Sequence, residues 1–286
     1  MREEIKMSKI AIVTDSVSDI PDDIVKLYDI YVVPLTIDID GVSYKDGIDI
    51  KKDDFYNLLN SGKMPTTSQI SPIEFMEVFS DLLKSYDEVI CILLSSKLSG
   101  TYQSALLAKE NLKNSKITVL DSKNFSLGAG LLVIEAAKMA RNGGTRDEIV
   151  SKINDMISKI SYIMIFDSLE YLYRGGRLKK SQAILGSILN IKPILVNNDG
   201  ELEIKDKVRG RKNAIKWIIN YMKETNVDFK RKEIGLLHTD REEFMLEIEN
   251  AIRNEFGVTN FIKNRAGCSA GVHAGPYAVG IFFELD

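Results

Sequence analysis

Apolar residues along this chain come in two rhythms. Short unbroken runs at residues 9–16 (KIAIVTDS), 88–96 (EVICILLSS) and 116–122 (KITVLDS) each stop abruptly at polar residues. Runs of that length and ending predict buried strands. Between them lie segments with helical spacing: DIPDDIVKLYD, KKDDFYNLLNSG, SPIEFMEVFSDLLKSYD, LSGTYQSALLAKENL and SLGAGLLVIEAAKMARNGG. Asp19 before Pro21, with acids following, predicts a helix start. So does Ser71 followed by Pro72 and Glu74. Gly62 and the Gly143-Gly144 pair predict helix ends. IYVVPLTIDID reads as strand, with Asp40-Gly41 as a hairpin turn, and KMPTTSQI reads as a loop. Strands alternating with helices predict parallel pairing through right-handed crossovers.

After TRDEIVSKINDMISKI the texture changes. SYIMIFDS reads as strand, and KPILVNNDGELEIKDKV as a hairpin broken at Asp199-Gly200. GRKNAIKWIINYMKE and REEFMLEIENAIRNEF read as helices, VTNFIKN and AVGIFFEL as strands. The fold class expected is α/β in two domains: an N-terminal parallel α/β domain over residues 1–160 and a C-terminal α+β mixed-sheet domain over 161–286.

Composition narrows the function. The chain has 286 residues, 44% hydrophobic, enough for packed cores. A net charge of −3 gives no overall attraction to nucleic acid or to anionic membrane. Six basic residues between Lys205 and Lys216 lack interleaved aromatics and read as a solvated face. Cys91 and Cys268 form no CxxC pair, so a reducing compartment is expected. MREEIKMSKIAIV does not read as a signal peptide, and no run is long enough to span a bilayer. The expectation is a cytoplasmic protein with no integral membrane segment.

The strand ends concentrate hydroxyls: Asp15-Ser16, Ser95-Ser96 and Asp121-Ser122, with Thr66-Thr67-Ser68 on the nearby loop. Ligands of open parallel sheets bind beyond such ends. Neutral hydroxyls beside a helix N-terminus suit one small anionic group, a carboxylate or a phosphate; the alternative is that each only caps a helix. Neither a Walker A loop nor GxGxxG occurs, the aspartates near residue 40 miss calcium-loop spacing, and two histidines 35 residues apart do not suggest zinc. Neither metal nor cofactor is expected.

Residues 265–283, RAGCSAGVHAGPYAVGIFF, pack four glycines around His273 and match G-x-S-x-G at Gly267–Gly271. Either Ser269 is a nucleophile, or the glycines shape a tight loop carrying His273 to a ligand mouth or against the sheet. A nucleophile elbow needs a helix after the serine. The residues after Ser269 read as a glycine-rich turn and a strand, with no room for one. His238, ending an apolar strand, reads as structural.

Seven stretches together resemble the DegV family of bacterial lipid-binding proteins, in the family's order: IAIVTDSVSDIP, MPTTSQISP, SSKLSGTYQSA, VLDSKNFSLGAG, SLEYLYRGGRL, VRGRKNAI and GVHAGP. The resemblance implies two domains with a long-chain fatty acid in an apolar tunnel between them. It implies a non-enzymatic subunit whose bound carboxylate is converted to acyl phosphate by a separate ATP-dependent fatty acid kinase. Thr67 and a serine of SSKLSG, Ser95 or Ser96, would hold the carboxylate; Arg209 and His273 would stand at the tunnel mouth and support phosphoryl transfer. SLEYLYRGGRL and AILGSILNIKPIL are candidate tunnel walls, with ordinary core packing as the alternative. RGGR at 174–177 reads as a tight turn without chemistry. The family commonly has Gly-Pro-Gly after the histidine; here the third position is Tyr277, which would narrow the mouth or reshape the partner surface. A self-contained phosphotransferase or esterase, using strand-end hydroxyls or Ser269, is the alternative function.

Overall fold

A computed structural model describes residues 9–178 and 190–286. The apolar runs become the centre of a four-stranded parallel sheet in the order β2-β1-β6-β7, with β1 Ile10–Asp15, β2 Tyr31–Val33, β6 Glu88–Leu93 and β7 Ile117–Asp121. Apolar residues dominate these strands because both faces are covered. Ile10, Ile12, Ile90 and Ile92 point into one core, while Ala11, Val13, Val89 and Cys91 point into another. Helices α3 (Pro72–Leu82) and α4 (Thr101–Leu112) close the second face.

Helix α5 (Ser126–Arg141) covers the first face and is itself covered from behind. Its other side meets a six-stranded mixed sheet in the order β10-β9-β8-β13-β11-β12. The strands are β8 Ile160–Ile165, β9 Ile191–Asn198, β10 Glu201–Arg209, β11 Ile234–His238, β12 Phe261–Arg265 and β13 Val279–Glu284. Only β11 and β12 pair in parallel there. Tyr162, Met164, Leu195 and Phe282 face α5; Ile163, Ile165, Ile281 and Phe283 face the helices Arg211–Glu224 and Glu242–Phe256 on the outside. The result is five layers, helix–sheet–helix–sheet–helix. The expected class, a parallel sheet followed by a mixed sheet, is the one observed.

Local signals account for many element ends. Ser71 and Glu74 form a reciprocal capping box with Pro72 in the first turn. Both Asp-Gly pairs turn hairpins with positive φ at both residues, 51° and 84° at Asp40-Gly41 and 47° and 90° at Asp199-Gly200, the conformation that suits strand twist.

Two expectations are corrected and a third is refined. PTTS is no loop: Thr66–Ser68 is a strand, β5, paired with Thr36–Asp38 of β3 (Thr36–Ile39), which also pairs with β4 (Val42–Lys45). The helix expected at DIPDDIVKLYD is present as Asp22–Tyr28 with Asp22 and Asp23 in its first turn, but Asp19 stands apart from it, buried with a φ of 51°, and its carboxylate serves the helix that bears His273. The glycine-rich stretch after Gly267 contains a helix, Cys268–Ala274. Of the candidate tunnel walls, residues 179–189 lie outside the described residues.

Leu132, fully buried on α5 between the two sheets, tests the layered core. Leu132→Ala is expected to lower unfolding free energy by about 2–5 kcal/mol, measured by urea denaturation.

Candidate functional site

The site is built on the short helix Cys268–Ala274. Its first amide hydrogens would be orphaned in a buried position. Two carboxylates from the N-terminal half accept them: Gly267 N donates to Asp19 Oδ1 at 2.6 Å, Cys268 N to Asp46 Oδ1 at 3.1 Å and Ser269 N to Asp46 Oδ2 at 3.1 Å. Negative charge there also meets the positive end of the helix dipole. Asp19 Oδ2 accepts in addition from Ser126 Oγ at 2.6 Å, at the start of α5. Gly271 lets the helix lie on the Lys52–Asn60 helix, since a methyl group at its Cα would come within 2.6 Å of Phe55 and 2.8 Å of the Tyr56 hydroxyl.

So placed, His273 reaches the strand β5. Its Nε2 is 2.8 Å from Thr67 Oγ1. Burial, and then the nearby Arg177 guanidinium, push the imidazole down to about 4, so it is neutral at pH 7. Its Nδ1 packs on Gly175 and has no hydrogen-bond partner among the described residues.

Behind this pair lies a cavity of about 200 Å³ lined from both halves of the chain. Its body is apolar, with Leu98, Phe125, Met164, Phe166, Leu172 and Leu237 in the wall; Thr67, Gln69, Ser99, Arg177 and His273 bring polar groups. A second pocket of about 220 Å³, lined in part by Met64, Pro65, Tyr171 and Arg174, shares Thr67, Arg177 and His273 with the first. Those three side chains form the partition between the two spaces. Arg177 donates from Nε to Leu98 O at 2.9 Å and from Nη1 to Gly175 O, which fixes its guanidinium at the partition.

The structure separates the predicted hydroxyls. Thr67 is at the cavity; Ser95 and Ser96 do not line it. Ser95 Oγ donates to Gly200 O at 2.8 Å, in the β9–β10 turn, and accepts from Lys97 N. Ser96 is exposed, its amide held by Asp121. The serine of SSKLSG that lines the cavity is Ser99. Arg209 is exposed at the end of β10 and lines neither pocket. Arg177 was missed because RGGR reads as a bare turn, and nothing local signals where its second arginine packs.

Ser269 lies after a strand and in a helix, as a nucleophile elbow requires. However, its hydroxyl has no hydrogen-bond partner among the described residues, and the Nε2 of His273 is bonded to Thr67. A serine nucleophile needs a base within hydrogen-bond reach. Among the described residues no group of His, Cys, Asp and Glu could hold a metal ion, and no helix is long and apolar enough to cross a membrane.

The profile described as "Uncharacterised protein, DegV family" matches residues 9–286. This chain belongs to the DegV family. A DegV domain-containing protein of Caldanaerobacter subterraneus subsp. tengcongensis is 62% identical over 278 residues, which cover 97% of this chain and 99% of that one. Among solved structures, a DegV family protein from Thermus thermophilus, described by its fatty acid binding, superposes with a TM-score of 0.90 at 30% identity. That match covers 97% of this chain and 100% of the other. DegV from Bacillus subtilis, described as a fatty acid binding protein, gives 0.86 at 30% identity, covering 98% and 100%. The DegV likeness thus extends over both halves of the chain.

Two outcomes test this geometry. A methyl group at Gly175 would overlap His273 Nδ1, so Gly175→Ala is expected to displace the imidazole and break its bond to Thr67. The His273 protonation midpoint, followed by NMR, then rises from about 4 towards the ordinary histidine value. The second outcome concerns Asp15, whose carboxylate accepts from Val17 N and Leu94 N. Burial raises Asp15 to about 7 and Asp19 to about 6 from 3.8. Between these values the folded chain holds more protons than the unfolded one, so this contribution to stability falls as pH rises. Relative to Asp15→Asn, the parent is expected to be most favoured near pH 4 and to lose that advantage by pH 7–8, measured by urea denaturation across the range.

Proposed function

We propose that this protein holds one long-chain fatty acid between two domains, residues 1–160 and 161–286. It presents the carboxylate to a separate ATP-dependent fatty acid kinase for conversion to acyl phosphate, and is itself no enzyme. The observation that carries this reading is the partition: an apolar space ends at Thr67, His273 and Arg177, with a second pocket on their other side. Fatty acid binding described for the Thermus thermophilus and Bacillus subtilis relatives supports it.

The physical roles divide cleanly. Burying a methylene is worth about 0.8 kcal/mol, so a sixteen-carbon tail offers roughly 10 kcal/mol before ordering costs. The carboxylate sits at the partition, where Thr67, backed by its bond to His273, supplies a hydrogen bond and Arg177 supplies the opposite charge that a buried anion needs. Ser99, rather than Ser95 or Ser96, is the serine of SSKLSG on the ligand's side. The outer pocket is the side from which a phosphoryl donor approaches, with His273 between the two spaces. Arg209, exposed and away from both pockets, is left to the face that meets the kinase.

Native mass spectrometry of the protein purified from bacterial cells should show a co-purifying acyl chain. Thr67→Ala is expected to weaken fatty acid binding roughly tenfold. His273→Ala and Arg209→Ala should keep lipid bound yet slow acyl phosphate formation in the presence of ATP and the kinase subunit. Loss of lipid from those two variants would reverse the assignment of roles.

A further inference from the structure

Polar side chains around the inner cavity are mostly engaged within the protein. Thr67 bonds His273, Gln69 bonds Ser104, Ser99 bonds Thr101, Arg177 bonds Leu98 O, and Thr239 accepts from Ala278 N. Two buried polar atoms among these lining residues have no partner among the described residues: His273 Nδ1, which packs on Gly175, and the hydroxyl of Ser269. Ser269 lines the cavity and is 1% exposed. A buried hydroxyl left unpaired is a standing cost, and alanine would fill the same wall without it. Nor can the helix easily shift to relieve it, since Asp46 holds the Ser269 amide.

We propose that the partner of Ser269 is an oxygen carried by the lipid: a hydroxyl group on the acyl chain, a few carbons in from the carboxylate. This rests on the fatty acid reading of the cavity. Thr67, His273 and Arg177 touch both pockets, whereas Ser269 touches the inner one alone. Ser269 stands four residues before His273 on the same helix. It therefore shares the face of His273 and lies about 6 Å from it along the axis, at 1.5 Å per residue. A chain with its carboxylate at the partition and its tail in the inner cavity passes Ser269 within its first few carbons. Two hydroxyls meeting there share one hydrogen bond, which gives Ser269 a partner; a plain chain leaves Ser269 unpaired.

The experiment is calorimetric titration of the delipidated full-length protein with palmitate and with its isomers hydroxylated on the second, third, fourth or fifth carbon. At least one isomer is expected to bind about tenfold tighter than palmitate. Ser269→Ala, a substitution that suits a helix, is expected to abolish that preference while palmitate binds as tightly as before or more so. Equal affinity of the parent for palmitate and every isomer would overturn the proposal and leave fatty acid binding standing. Weaker palmitate binding by Ser269→Ala would overturn it too, since Ser269 would then serve the carboxylate. Failure of palmitate and all isomers to bind would overturn the fatty acid reading, and this inference with it.

Discussion

Two buried carboxylates receiving the amide end of a seven-residue helix hold the functional centre in place. A helix of that length has no stability of its own in water. Asp19 and Asp46 supply what the backbone of Cys268–Ala274 lacks, and both come from the opposite half of the chain. Asp19 also grips Ser126, so one carboxyl group joins the central helix to the helix bearing His273. Burial raises Asp19 to about 6, so ionising it in place costs more than it would in water. What the arrangement provides is position: it sets His273 against Thr67, 206 residues away in sequence.

The fold was legible wherever a sequence rhythm had a single physical cause. β6 is apolar from Val89 to Leu93 because α5 covers one face and α3 and α4 the other; the Asp-Gly pairs turn because their backbones tolerate positive φ. The two misread segments lack such a cause. Thr66–Ser68 has no apolar alternation and is a strand only because β3 pairs with it. Cys268–Ala274 contains a glycine that disfavours helix, outweighed by the carboxylates at its start and by close packing on Phe55 and Tyr56.

The site was legible in part for the same reason. Thr67 and His273 each stood out by residue type, but nothing local joins them. Within SSKLSG the sequence offered three serines, and the course of the turn after β6 decides among them: Ser95 is spent on Gly200 and Ser99 is left at the cavity. Arg177 illustrates the limit most clearly. An arginine after two glycines has no signature of burial, and its place at the partition comes from an anchor on Leu98 O across the fold.

Charge at the partition is a consequence of these placements. Were His273 protonated, two cations would share one poorly hydrated wall, and repulsion from Arg177 together with burial holds the imidazole neutral down to about pH 4. The partition therefore presents one positive charge, a neutral ring and a hydroxyl. That set matches a single carboxylate: one opposite charge offsets the cost of burying the anion, and neutral groups can occupy its remaining lone pairs without adding charge. A wall with two cations would be unstable when empty, and a wall with none would reject the carboxylate proposed to sit there. In the proposed reading the neutrality of His273 is thus part of the binding chemistry, and it originates in the same helix docking that Asp19 and Asp46 impose.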